Sequence, residues 1–215
     1  MLLHWQFFFG ALISLVTMTN PLSKIPMFIS LTQNMSEPRR QRQAVRASWI
    51  AFLIMTVCLI AGNVILSVFG ISYGALRVAG GIVIGLLGYR MLYHLQDPGM
   101  APKGAGRRDR SDYAFFPLAM PAIAGPGTIA VVIGLSTEIV EKPTLTGKAV
   151  TFALTLAAIG ISSLVMWMTL RSSTMISERL GRPGQEIMTR LMGFVLICVG
   201  IQFIGSGVRT FIAGS

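Results

Sequence analysis

Two proline motifs interrupt long apolar stretches of the chain, and each brings small or polar residues to the interruption. Proline has no backbone N–H and clashes with the preceding helical turn, so a helix breaks at each motif. The break frees carbonyl groups and creates a new helix N-terminus, whose unpaired N–H groups attract anions. The predicted substrate-binding residues are Asn20, Pro21 and Ser23 in the first motif and Gly125, Pro126, Gly127 and Thr128 in the second.

The chemistry of these breaks suits a ligand that carries both charges. Helix N-termini favour a carboxylate, and freed carbonyls with the Asn20 amide suit an ammonium group or a cation. Gly125 and Gly127 let the backbone approach a ligand closely, because they have no side chain. The alternative is a kink without a ligand, in which Ser23 and Thr128 donate hydrogen bonds back to their own helices. Two interrupted segments at matching positions favour a site for a small zwitterionic substrate.

The composition indicates a membrane protein. Of the 215 residues, 53% are hydrophobic and 12% are charged, whereas soluble domains have about 25% charged residues. The net charge of +10 does not indicate a nucleic-acid partner, because the bases cluster in short connections between apolar segments. The first apolar run has no Lys or Arg before it, so we expect it to be a membrane segment and not a signal peptide.

Six apolar stretches are long enough to cross a bilayer, which predicts an all-α polytopic fold with six transmembrane helices. The stretches are 5–31, 49–69, 73–95, 113–136, 148–170 and 189–212, and the proline motifs break the first and the fourth. Twelve bases lie in or beside the connections after the first, third and fifth stretches: Arg39, Arg40, Arg42, Arg46, Lys103, Arg107, Arg108, Arg110, Arg171, Arg179, Arg182 and Arg190. These connections are predicted to face the cytoplasm, which leaves both termini outside it.

The chain divides into two halves of three segments each. Residues 1–96 form the first half, residues 97–112 a linker rich in Gly, Pro and charge, and residues 113–215 the second half. An odd number of segments turns the second half upside down in the membrane. Arg77 with Gly80, and Arg190 with Gly193, open the third helix of each half, as an inverted repeat requires.

The sequence contains no arrangement typical of an enzyme, a metal site or a cofactor site. The acidic residues lie in or beside predicted connections, so a proton relay on buried carboxylates is disfavoured. Cys58 and Cys198 lie within apolar segments and are expected to be core residues. Lys24 is the one charge deep in the first segment, and its side chain is expected to extend towards the lipid headgroups. We therefore expect neither catalysis nor a bound metal or cofactor.

Small residues spaced four apart predict close helix packing in two segments. Gly81 and Gly85 form such a pair in the third segment, and Ala153 and Ala157 form one in the fifth. They could equally serve an oligomer interface. The other predicted partner is the lipid bilayer.

The motifs resemble those of the MarC family of integral membrane proteins over nearly the whole chain. The resemblance rests on Asn20-Pro21-x4-Pro26-x-Phe28, on the run from Phe116 to Ala130, and on Leu76-Arg77-Val78-Ala79-Gly80-Gly81 after Gly70-Ile71-Ser72. It rests also on Arg190-Leu191-Met192-Gly193 with Gly200-Ile201-Gln202-Phe203.

The resemblance implies two inverted three-helix repeats with helices 1 and 4 discontinuous. It also implies a transporter of small neutral amino acids, such as glycine or alanine, in the cytoplasmic (inner) membrane, with the site at the two proline motifs. A proton or a sodium ion could be the coupling ion. The alternatives are a channel or exporter of other small solutes and a membrane scaffold protein that transports nothing.

Overall fold

The chain is almost entirely helical. The structure, a computed structural model, describes residues 2–32, 34–93, 113–140 and 142–213; helix covers 92% of them and none lies in a strand. The helices are α1 (Leu2–Thr19), α2 (Pro21–Thr32), α3 (Glu37–Phe69), α4 (Tyr73–Leu92), a π-helix (Ala114–Ile123), α5 (Pro126–Val140), α6 (Leu145–Arg171) and α7 (Ser173–Ala213). The predicted linker 97–112 lies outside the described residues.

Four helical stretches of the described chain are long and apolar enough to cross a membrane: Glu37–Phe69, Tyr73–Leu92, Leu145–Arg171 and Arg190–Ile212. Large apolar side chains on their outer surfaces are exposed, such as Val57, Ile60, Val64 and Val68 on α3. Lipid tails are the partners that such a surface requires. The prediction of an all-α membrane protein is confirmed.

The first and fourth predicted segments are both interrupted. α1 ends at Thr19, and α2 begins at Pro21 after a single residue, Asn20, whose φ is 43°. In the fourth segment the π-helix ends at Ile123 and α5 begins at Pro126. A proline fits the first position of a helix because its missing N–H has no partner there in any case. The prediction of two breaks is confirmed.

The fourth segment is irregular before its break as well. Phe116 (φ −123°, ψ 128°) and Met120 (φ −131°, ψ 126°) have extended backbones inside the π-helix. Both residues directly precede a proline in the sequence, and the ring of a proline disfavours helical angles in the residue before it. The three prolines of this segment therefore give an unwound stretch in place of one kink.

Two connections that the sequence predicts as loops are helical. α3 begins at Glu37, twelve residues before the predicted Trp49, so the bases from Arg39 to Arg46 lie on its first turns. Ser36 precedes the helix with an extended backbone, a proline occupies one of the first two positions and Glu37 adds a negative charge there. All three features favour a helix start. α7 likewise begins at Ser173 and bends at Gly181, whose φ is 61°.

α4 and α7 contact each other through three pairs of glycines, here named the glycine seam: Gly74 with Gly207, Gly81 with Gly200, and Gly88 with Gly193. A Cβ added to Gly81 would lie 2.6 Å from the carbonyl oxygen of Gly200, so the two backbones touch. The seven-residue spacing keeps the glycines on one face of each helix. Along the seam the residue numbers rise on α4 and fall on α7, so the two helices are antiparallel.

The packing role predicted for small residues is confirmed in part. Gly81 belongs to the glycine seam, and the backbone of Gly85 lies against Gly200, but a Cβ on Gly85 itself would meet nothing within 4 Å. Ala153 and Ala157 are exposed on α6, so neither is buried in the packing of this chain.

α5 lies in the interior of the bundle. Every side chain from Ala130 to Thr137 is buried. α5 packs along α4, where a Cβ on Gly80 would lie 2.8 Å from Ala130 Cβ, and along α3, where a Cβ on Gly62 would lie 2.7 Å from Ser136 Oγ. The half-helix that follows the second break is therefore enclosed by other helices and not by lipid.

Candidate functional site

Several backbone groups at the first break are paired locally. The N–H of Asn20 donates to the Val16 carbonyl at 3.0 Å, and Thr19 Oγ1 donates to the same oxygen at 3.3 Å. Both the N–H and the hydroxyl of Ser23 donate to the Asn20 carbonyl, at 3.2 and 2.9 Å. Ser23 therefore stabilises the turn between α1 and α2, as the alternative to a ligand contact predicts.

The side chain of Asn20 has no such local partner. The residue is 4% exposed, and its Nδ2 has no hydrogen-bond partner among the described residues. A buried amide N–H that donates to nothing costs about 1–3 kcal/mol. Asparagine also tolerates the positive φ of 43° better than most residues do. The backbone angle accounts for an asparagine here but leaves the burial of an unpaired donor unexplained.

The second break is held in a similar way. The N–H of Ala124 donates to the Ala119 carbonyl at 2.8 Å, a bond that spans five residues. Thr128 Oγ1 donates to the Ile123 carbonyl at 3.0 Å, and Thr128 is 3% exposed. The hydroxyl of Thr128 thus connects the two sides of the break. It keeps its lone pairs for a further donor.

The remaining predicted residues differ in their exposure. Pro21 is buried, Gly125 and Gly127 are half-buried, and Pro126 is exposed. Pro126 is the first residue of α5, so the first N–H groups of that helix belong to Gly127 and Thr128. These N–H groups precede the first intrahelical bond and are available to a ligand.

The structure brings the two breaks close together. A Cβ on Gly127 would lie 3.8 Å from Met18 Sδ, and Met18 is two residues before Asn20. The same Cβ would lie 2.8 Å from Ile84 Cγ1 on α4. α2 also contacts the π-helix, and α1 contacts α5. The start of α5 therefore lies beside the last turn of α1, next to the first break, while Pro126 itself is exposed.

α6 adds a polar group that the sequence reasoning missed. Ser162 is fully buried, and its Oγ lies 3.4 Å from Thr19 Oγ1 beside the first break. The adjacent serines at 162 and 163, in an otherwise apolar segment, are the signal that could have indicated it. The described part of the chain has no group of His, Cys, Asp or Glu side chains that could hold a metal ion. Main-chain groups, an amide and hydroxyls are what the site offers to a ligand.

The sequence matches the model of the MarC family of integral membrane proteins over residues 5–212. The chain belongs to the MarC family. It is 37% identical to the inner membrane protein MarC of Citrobacter koseri over 207 residues. This aligned region covers 94% of this chain and 93% of that protein. The MarC proteins of Escherichia coli O1:K1 and Shigella flexneri are similar, at 37% and 36% identity over the same shares of each chain. No solved structure matches the chain.

Membership in the MarC family agrees with the apolar helices of the structure. The relatives are named as inner membrane proteins, and four described helices can cross a membrane. This MarC-family chain is therefore a multi-pass protein of the inner membrane. The resemblance inferred from the motifs is confirmed at the level of the family.

Proposed function

We propose that this MarC-family chain is a secondary transporter of small neutral amino acids, such as glycine or alanine, and has no enzymatic activity. The observation that carries the proposal is the buried, unpaired Nδ2 of Asn20 at the first break, where the last turn of α1 lies beside the start of α5. A substrate oxygen would supply the acceptor that the described protein does not. A pure kink needs no such donor.

The substrate carboxylate would accept hydrogen bonds from Asn20 Nδ2 and from the N–H groups of Gly127 and Thr128 at the start of α5. The helix dipole favours a negative charge at that end. In this proposal Asn20 binds the carboxylate and not the ammonium group, because its unpaired Nδ2 is a donor. Carbonyl and hydroxyl oxygens near the breaks would accept from the ammonium group.

The glycine seam supports two inverted repeats of three helices with six spans in total. A two-fold axis between Gly81 and Gly200 would exchange α4 with α7 and reproduce the same three glycine pairs; it matches Gly74 with Gly193, where the sequence motifs match Gly80 with Gly193. Such an axis relates the halves of transporters that rock around a central site. Alternating access would follow from movement of one repeat against the other, with both termini outside the cytoplasm. A proton or a sodium ion would drive transport.

Uptake of labelled glycine and alanine into liposomes that contain the purified chain tests the proposal. We expect uptake above that of empty liposomes when a proton or a sodium gradient is imposed. No uptake under either gradient would contradict it. Equal uptake of unrelated small solutes would favour a channel or exporter, and a chain that transports nothing would favour a scaffold.

A further inference from the structure

A polar pocket lies at the N-terminal end of α4, away from the two breaks. It has a volume of about 500 Å³ and is lined by Tyr73, Arg77, Glu138, Lys142, Pro143 and Thr210; we name it the mouth pocket. Glu138 is eleven residues after Gly127 on α5, so about 16 Å of helix separates the pocket from the second break. The loop charges predict that this end faces outward.

Two contacts between α4 and α5 build the wall of the mouth pocket. The ring of Tyr73 lies against α5 where Gly134 has no side chain, since a Cβ there would be 3.2 Å from the Tyr73 hydroxyl. The side chains of Arg77 on α4 and Glu138 on α5 also approach each other, with 3.6 Å between Nη2 and Oε1. The Arg77 guanidinium also lies 4.2 Å from the centre of the Tyr73 ring. Arg77 is therefore held in a defined position.

The mouth pocket carries charges of both signs, which a zwitterion needs in its binding site. Arg77 and Lys142 provide two positive charges and Glu138 provides one negative charge. The separation of 3.6 Å between Arg77 and Glu138 is longer than the about 2.8 Å of a close charge-assisted hydrogen bond. The side chains of Arg77 and Glu138 are 27% and 35% exposed, so a ligand in the pocket can reach both members of the ion pair. Arginine suits a carboxylate because its N–H groups form a planar fork.

We propose that the mouth pocket is a second binding site for small zwitterionic amino acids, in which Arg77 and Lys142 bind the carboxylate and Glu138 binds the ammonium group. The substrate class rests on the proposed function, but binding in the pocket does not require transport. The site would hold a substrate before it moves along α5 to the breaks.

Chemical modification of Arg77 tests the mouth pocket directly. The full chain in lipid nanodiscs is treated with phenylglyoxal, which reacts with arginine, and the modified peptides are quantified by mass spectrometry. Glycine, acetate and methylammonium are the probes. We expect glycine to slow the modification of Arg77 about fivefold or more, and acetate to slow it less. Arg90, at the other end of α4, should react at the same rate with every probe.

Two variants separate the pocket from the central site. In Glu138→Gln, protection by glycine should fall to the level of acetate; in Asn20→Gly it should not change. Loss of protection in Asn20→Gly would assign the effect to the breaks and overturn the proposal. So would equal protection by glycine and acetate in the unmodified chain, or none by glycine. Protection without glycine uptake would refute transport alone, and uptake without protection would refute the pocket alone.

Discussion

The glycine seam makes a quantitative prediction about Gly81→Ala. The added Cβ would lie 2.6 Å from the Gly200 carbonyl oxygen and 2.9 Å from the Ile204 nitrogen. Both are backbone atoms, so no side chain can rotate out of the way. Ordinary contact begins at 3.4 Å, so the helices must separate by at least about 0.8 Å. Overpacking of this kind costs about 1–3 kcal/mol.

Gly85→Ala is the matched control for this prediction. It lies on the same helix one turn away, and its Cβ would meet nothing within 4 Å. Both substitutions gain the same helix propensity of about 1 kcal/mol, so the difference between them isolates the clash. We expect the free energy of unfolding of Gly81→Ala to be about 1–3 kcal/mol lower than that of Gly85→Ala.

Reversible denaturation of the purified chain in mixed micelles measures these free energies of unfolding. Gly200→Ala should lower the free energy of unfolding less in the Gly81→Ala variant than in the unmodified chain, because Gly81→Ala has already separated the helices. Equal stability of Gly81→Ala and Gly85→Ala would show that α4 and α7 do not touch at the glycine seam.

Two further predictions concern the second break. Thr128→Val keeps the shape of the side chain but removes the hydrogen bond to the Ile123 carbonyl. The free energy of unfolding should therefore fall by about 1–3 kcal/mol. A denaturation curve equal to that of the unmodified chain would contradict this prediction. Gly127→Ala places a Cβ 2.8 Å from Ile84 Cγ1, which belongs to a side chain that can move. The variant should therefore fold, but its uptake of glycine should fall. Thermal unfolding measures the first result and the liposome assay measures the second. Uptake equal to that of Gly85→Ala would show that the start of α5 does not approach the substrate.

The two breaks could be predicted from the sequence because proline acts on its own neighbours. Pro21 and Pro126 each begin a half-helix, as their missing N–H predicts. The extended backbones at Phe116 and Met120 follow from the same rule for residues before proline, which the sequence reasoning did not apply. The bases from Arg39 to Arg46, which are predicted in a loop, lie in a helix, and Ser36 and Glu37 are the local signals of its start.

Contacts between distant segments could not be predicted in the same way. The seven-residue spacing of Gly74, Gly81 and Gly88 is visible in the sequence, but nothing local identifies α7 as the partner. The same holds for Ser162, which reaches the first break only because α6 packs against α1. Pro21 and Pro126 do locate the two breaks in the sequence, and the structure adds that the start of α5 lies beside the end of α1.

If the Asn20 amide binds the substrate beside the first break, Asn20→Gly should remove that contact. Glycine adopts a positive φ at no steric cost, so this variant keeps the backbone of the break and removes only the amide. Loss of a hydrogen bond to a charged group costs about 1.5–3 kcal/mol, or about tenfold or more in affinity.

The measurement is the concentration dependence of glycine uptake into liposomes, with Asn20→Gly compared with the unmodified chain at equal protein incorporation. We expect the KM for glycine to rise about tenfold or more. An unchanged KM and rate in Asn20→Gly would contradict it, because Asn20 would then serve the backbone turn alone.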